Sequence, residues 1–230
     1  MTKSYFARPG RFFAACLLLM LVGGCNTLRQ TAMPYPYFYS LDNARAGLNA
    51  ALPVPARVPQ MMPTLIVNPP HATAGFDSQH IIYMREPHQL EYYAHNEWVD
   101  TPAHMIAPLI VAAIENSGKF HAVMRTPSVA TGDLRLDTEI IRLQHDLGSH
   151  PSHVRFTMRA YIVDNMTRKV LLWREFDETV AARSEDPYGG VVAANRAVQT
   201  VLERLAIFCT EAAGNWQPPV AEIQKNTEGK

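Results

Sequence analysis

The stretch that decides the fold is Leu134-Arg-Leu-Asp-Thr-Glu-Ile140, Val154-Arg-Phe-Thr-Met-Arg-Ala-Tyr-Ile162 and Val170-Leu-Leu-Trp-Arg-Glu-Phe-Asp-Glu-Thr-Val180. In the first segment Leu134, Leu136, Thr138 and Ile140 share one parity. In the second, Val154, Phe156, Met158, Ala160 and Ile162 do the same. Strict alternation is the mark of a strand with one buried face. Ile141 and Leu143 continue on the opposite parity, which implies a bulge or a change of burial inside the first strand. Asp164-Asn-Met-Thr-Arg168 reads as a turn, so residues 133–180 form an antiparallel meander. Its first connection is the polar loop Leu147 to Ser152.

Two helices flank this meander. Thr101 caps the first and Pro102 suits its opening turn, where a missing N–H costs nothing. Ile106, Leu109, Ile110, Ala113 and Ile114 make one helical face, and Gly118 is the stop. Pro108 sits inside that pattern and implies a kink. Asp186-Pro187 opens the second helix. Val191, Ala194, Val198, Val201, Leu202, Leu205 and Phe208 lie on one stripe, and Gly214 ends it.

Upstream, Tyr35 to Leu41 reads as a first strand and residues 42–62 as a loop rich in Ala and Pro. Thr64-Leu-Ile-Val67 is a buried strand, while His80 to Met84 and Gln89 to Tyr93 make a strand pair. Phe120 to Met124 is a further strand. The expected architecture is a single α/β domain over residues 34–216, a mixed sheet with an antiparallel meander and two main helices. Residues 217–230 read as a disordered tail.

The N-terminus is an export signal. Lys3, Arg8 and Arg11 precede an apolar run of 11 residues, Phe12 to Val22, and then Gly23-Gly24-Cys25. The run is short of the roughly 20 apolar residues of a membrane span. Small residues before a cysteine are what the lipoprotein-processing peptidase accepts. Residues 1–24 are therefore expected to be removed, with Cys25 as the lipid attachment site and 25–33 as a tether. The attached group is N-acyl diacylglycerol, three chains in all. Two suffice for durable anchoring. Asn26, rather than Asp, follows the cysteine, which points to the outer membrane, facing the periplasm.

Composition narrows function. The whole chain carries 21 basic and 21 acidic residues; the signal takes three basic ones, leaving 18 against 21, a net charge of −3. A mildly acidic chain lacks the basic footprint of a nucleic-acid binder. Of three cysteines, Cys16 leaves with the signal and Cys25 is lipidated, so Cys209 stands alone as a buried, inert thiol. His145, His150 and His153 flank one loop, but ligand count and spacing favour solvated loop histidines over a zinc site. Asp133, Asp137, Glu139 and Asp146 read as solvated faces. The sequence contains no Gly-x-Ser-x-Gly elbow and no phosphate-binding lysine after Gly189-Gly190. The aromatic group Tyr35, Tyr37, Phe38, Tyr39, Tyr92, Tyr93 and Trp98 invites a lipid or partner contact, with packing against the first helix the favoured reading. An enzyme is not expected, nor is a metal or cofactor beyond the covalent lipid.

Three segments carry a resemblance. They are Tyr92-Tyr93…Trp98…Pro102 leading through the first helix to Ser117-Gly-Lys-Phe-His-Ala-Val123, the run ending Trp173-Arg-Glu-Phe176, and the Ala-rich helix 188–213. With the Gly-Gly-Cys site they resemble the ABC-type transport auxiliary lipoproteins, the outer-membrane lipoproteins of the Pqi-type pathway and its relatives. The resemblance covers about residues 35–216. It implies a fold similar to the N-terminal domain of TolB, and a non-enzymatic role beside an Mce-domain protein and its ABC transporter in lipid transport. Homo-oligomerisation would fit such a role. The alternative is an envelope structural lipoprotein without transport. One departure is Glu97 before the Trp, where the family often has a basic residue. A tethered domain without an active site acts through contacts, and the turn-rich segments Leu147 to Ser152 and Arg183 to Gly190 are the exposed candidates.

Cys25→Ser is expected to abolish lipidation and processing at this position while leaving the domain folded. Metabolic labelling with palmitate checks it: a normally labelled Ser variant contradicts the assignment.

Overall fold

A computed structural model of the chain describes residues 35–42, 62–127 and 131–217. The export signal, Cys25 and the tether lie outside them, as do most of the 42–62 loop and the tail beyond Gln217. Among the described residues, no helix is long and apolar enough to cross a membrane.

The described residues form nine strands and two helices, in order: β1 (Tyr37–Tyr39), β2 (Thr64–Val67), β3 (His71–Ala72), β4 (His80–Met84), β5 (Leu90–Trp98), α1 (Pro102–Glu115), β6 (Ala122–Arg125), β7 (Leu134–Asp146), β8 (His153–Asp164), β9 (Val170–Ala181) and α2 (Pro187–Asn215). The sheet is built around β7. One edge of β7 pairs antiparallel with β8 from Leu134↔Asp164 to Asp146↔His153, and β8 pairs in turn with β9. Along the other edge, β2, β3 and β4 follow one another in parallel, matched to Leu134–Leu136, Glu139–Ile140 and His145–Asp146. Two bonds prolong the first two contacts: Asn68 N–H donates to the Leu136 carbonyl (3.0 Å) and Thr73 N–H to that of Ile140 (2.9 Å), before residues 74–79 turn toward β4. β6 then joins β2 in parallel, β5 joins β4 antiparallel, and β1 joins β5 in parallel. The sheet is mixed, with the antiparallel meander as its far half.

The parity change in β7 is a bulge. Ile140 pairs with Met158 and Arg142 with Thr157, so Ile141 has no opposite residue. The Thr73 hydroxyl donates to the Ile141 carbonyl at 2.9 Å, occupying the acceptor the bulge turns away. Beyond it Leu143 and His145 return to the buried face.

Both helices lie on that face. All five α1 residues and all seven α2 residues assigned to apolar stripes are buried, and they meet Leu65, Val67, Leu136, Ile140, Phe156, Met158 and Ile162 in one core. α2 lies across β8 and β9 and also touches α1. Phe176 of β9 meets Phe208 of α2 edge-on at 5.9 Å. Arg174 and Arg204 cover these rings at 5.0 and 5.7 Å, while pairing with Glu211 and Glu178. The opposite sheet face carries charge ladders instead. Arg159 links Glu139 (3.8 Å) and Glu175 (2.7 Å), and Arg155 grips Asp177 through two nitrogens.

Helix starts follow the sequence. Thr101 Oγ1 accepts from His104 N–H and Asp186 Oδ1 from Gly189 N–H. Pro108 is tolerated because the carbonyl deprived of its donor is that of His104, an exposed residue where water can substitute. Several boundaries differ from the sequence reading. Gly214 does not end α2, which runs on to Asn215 with Trp216 at its cap. β5 extends to Trp98, β1 is only three residues long, and β3 had no visible signal, being two residues held wholly by β7.

Ile110→Asp and Val201→Asp each place a carboxylate at a site with 0% exposure, and each should cost at least about 4 kcal/mol. Glu211→Ala removes an exposed ion pair with Arg174 and should cost under about 1 kcal/mol. Urea unfolding of the three variants checks this. Wild-type midpoints for both Asp variants would mean that the helix faces are wrongly assigned.

Candidate functional site

The two segments singled out as exposed contact candidates, Leu147 to Ser152 and Arg183 to Gly190, come together at one end of the sheet. Ala182 N–H donates to the Ser152 carbonyl (2.8 Å), and Ser152 N–H donates to Glu185 Oε1 (3.1 Å). His150, at the loop tip, stands 3.8 Å from the same carboxylate. The loops are continuous with the β7–β8 hairpin and the start of α2, so rigid elements hold their bases.

The residue that joins them is His145. It was expected on a solvated loop; it is instead in β7 with 2% exposure. The bulge at Ile141 is the cause, because it moves every later residue of β7 to the other face. His145 Nε2 lies 2.8 Å from Ser152 Oγ, and Nδ1 lies 3.2 Å from the Tyr93 hydroxyl. A neutral imidazole satisfies both: Tyr93 O–H donates to Nδ1, and Nε2–H donates to Ser152. Burial pushes the His145 pKa below its ordinary value, against the upward pull of Glu185 and Asp146. Burial likewise pushes Tyr93 up to about 12.

Gly190 explains how α2 can begin here. A Cβ on it would lie 2.5 Å from His145 Nδ1, so only glycine lets the helix backbone pass over the imidazole. Asp186 closes the turn, taking Gly189 N–H (2.7 Å) and the Ser184 hydroxyl (2.8 Å). These bonds, the Gly189 N–H first, hold its pKa below the usual carboxylate range. The Ser152 N–H does the same for Glu185.

Chemically the arrangement is a pin. Ser152 and His145 are in hydrogen-bond contact, but the serine has 0% exposure and no substrate can reach it. Exposed above it are His150, Pro151, Arg183, Ser184 and Glu185, a surface of mixed charge.

The other singled-out residues have structural partners. His153 sits between Ser149 (2.8 Å) and Asp146 (3.5 Å). The three histidines thus face different partners, and among the described residues no three metal-ligating side chains converge. Asp133 accepts the Thr64 N–H, Asp137 takes Asn68 and Arg135, and Glu139 faces Arg159. These carboxylates are half-buried ties, not simply solvated faces. Cys209 is buried, and burial raises its thiol pKa far above the ordinary value. Cys25 lies outside the described residues.

The aromatic group departs from expectation. Trp98 is buried and Tyr39 and Tyr93 are half-buried, but Tyr37, Phe38 and Tyr92 are 67%, 57% and 58% exposed, and Tyr35 is 91% exposed. For Tyr37 and Phe38 the reason is position: β1 is the last strand at its margin of the sheet, and among the described residues no strand pairs beyond it. The inner members gather at the start of α2 rather than on α1, with Tyr39 6.5 Å from Tyr188 and Tyr83 4.4 Å from Tyr93.

The family model for ABC-type transport auxiliary lipoprotein components matches residues 42–206. The chain belongs to this family. A search of curated proteins finds no match. Among solved structures, protein XCC0632 of Xanthomonas campestris is similar at a TM-score of 0.60 and 25% identity, over 69% of this chain and 90% of that one. An uncharacterised protein aligns at 0.57 and 11% identity, over 76% and 99%. A PelC dodecamer from Paraburkholderia phytofirmans aligns at 0.39 and 13% identity, over 62% and 86%.

Two outcomes test the pin. Gly190→Ala should destabilise the domain by about 1–3 kcal/mol through overpacking. Because the folded His145 pKa is depressed, its contribution to stability is complete above the unfolded value near 6.5 and is lost as pH falls through the folded one. Urea midpoints should therefore drop as pH falls below the unfolded value near 6.5, and His145→Gln should flatten that slope. An unchanged slope would mean that another group titrates.

Proposed function

We propose that this chain is the lipid-anchored, non-catalytic auxiliary subunit of an Mce-type ABC lipid transporter of the bacterial envelope. The family match carries the reading, since its description is that of an ABC-type transport auxiliary lipoprotein component. Removal of residues 1–24 and acylation of Cys25 would fix one end of the chain in a bilayer. Asn26 after the cysteine supports the outer membrane and a periplasmic domain. The resemblance to the N-terminal domain of TolB belongs to the same reading, supported by two helices on one face of a mixed sheet.

The mechanism is mechanical rather than chemical. A three-chain anchor holds the domain at the membrane. The pinned loops present a fixed surface, and the cost of ordering them is met on folding and not on binding. An Mce-domain protein spanning the periplasm is the partner this arrangement suits. Hydrolysis of ATP would belong to another subunit. Self-association of the domain would multiply the contact surfaces offered to an oligomeric partner.

The test is a titration of the purified mature protein with the ectodomain of a cognate Mce-domain protein from the same bacterium, with masses followed by light scattering. Saturable binding is expected, weakened at least about tenfold when Arg183 and Glu185 are both changed to Ala. A strict monomer that does not bind at high micromolar concentration would favour a structural envelope lipoprotein.

A further inference from the structure

The exposed aromatics of β1 need an explanation that the core does not supply. An edge strand open to water is ordinarily guarded by Lys or other charges. Here the strand is Tyr37-Phe38-Tyr39, with no charge. Tyr37 and Tyr39 point to the helix side, where Tyr188 in the first turn of α2 stands 6.5 Å from Tyr39 and is itself 62% exposed. Phe38 points to the other side, in register with Glu97 and, across β5, with His80, which stacks on exposed Tyr92 at 4.3 Å. The edge therefore shows aromatic rings on both of its faces.

Extension of the sheet by another strand fits this edge poorly. It offers three residues, and Pro36 directly before them has no N–H to donate. Tyrosine with an exposed hydroxyl suits a different neighbour, the headgroup layer of a bilayer. There the ring meets acyl chains and the hydroxyl meets water and phosphate esters. Covalent reach supplies the second argument. Cys25 and Tyr37 are twelve residues apart, at most about 3.3–3.6 Å each, so an anchor at Cys25 confines β1 to within about 40 Å of its lipid. β1 is the first strand after that anchor.

We propose that the aromatic edge formed by Tyr37, Phe38 and Tyr188 lies against the surface of the bilayer holding the lipid on Cys25. The domain then stands on its β1 edge, with the sheet rising from the membrane. This rests on the anchor proposed above. β9, at the other margin, lies five strand spacings away, about 24 Å from β1. Trp173 on β9, 62% exposed, is therefore held clear of the lipid.

The test uses tryptophan emission and lipids brominated high in the acyl chain, which quench only nearby rings. The mature lipoprotein is reconstituted in phosphatidylethanolamine–phosphatidylglycerol vesicles, and acylation of Cys25 is established by mass spectrometry. Wild-type emission, from Trp98, Trp173 and Trp216, should change little on bromination. The component added by Tyr37→Trp, and by Tyr188→Trp, should fall at least about twofold. Circular dichroism matching wild type shows that each variant is folded. Equal added emission in brominated and plain vesicles overturns the proposal. So does an oligomer that Tyr37→Ser dissociates while quenching is absent, since the edge would then be a self-contact. If Cys25 proves not to be acylated, the anchor fails separately. The mature chain held by an N-terminal hexahistidine tag on nickel-chelating lipids then applies the same quenching criterion to the edge alone.

Discussion

β7 is thirteen residues long and must satisfy hydrogen bonds on both edges while burying one face. Its two edges are met in different ways. β8 takes one edge whole, as the return arm of a hairpin. The other is met piecewise, by β2, β3 and β4 laid end to end in parallel. The position of every other element follows. β6 and β5 extend the two outer pieces, β1 extends β5, and both helices cover the one face that the pleat leaves apolar. Removing the pairing at any one point of β7 would orphan backbone groups in the centre of the sheet.

The bulge at Ile141 turns this architecture into a site. Without it, His145 would face the charge ladders. With it, His145 passes under the first turn of α2, where Gly190 makes room and Ser152 and Tyr93 satisfy both ring nitrogens. A neutral, buried histidine then ties β5, β7, the 147–152 loop and the start of α2 together. The loops above it are exposed yet bonded at their bases, which is what a fixed recognition surface requires.

Much of the fold was legible in the sequence because it rests on periodicity and capping. The alternation in β7 and β8, the stripes of α1 and α2, and the Thr101 and Asp186 caps depend on local patterns and stand where the residues placed them. The change of parity at Ile141 even announced the bulge. The burial of His145 is not legible there, because what happens four residues further on depends on which element covers that face. β3 was invisible, since two residues paired only to a distant strand leave no period. The exposure of Tyr37 and Phe38 has a related cause. Aromatic strands read as core unless the strand's place in the sheet is known, and β1 is at the margin. The two loops stand out in the sequence by turn content; that they touch is a tertiary fact.

The chain belongs to the ABC-type transport auxiliary lipoprotein components, and the proposed tethered role makes the pinned loops its contact surface. The most direct measurement is site-specific photocrosslinking in living cells, with a photoreactive amino acid introduced in turn at His150 and Arg183. The proposed role predicts covalent adducts of both with a partner of the transport system, an Mce-domain protein under the proposal above, and none from a control position at Lys169, in the turn before β9. Adducts absent at both loop positions, or no stronger there than at Lys169, would contradict it.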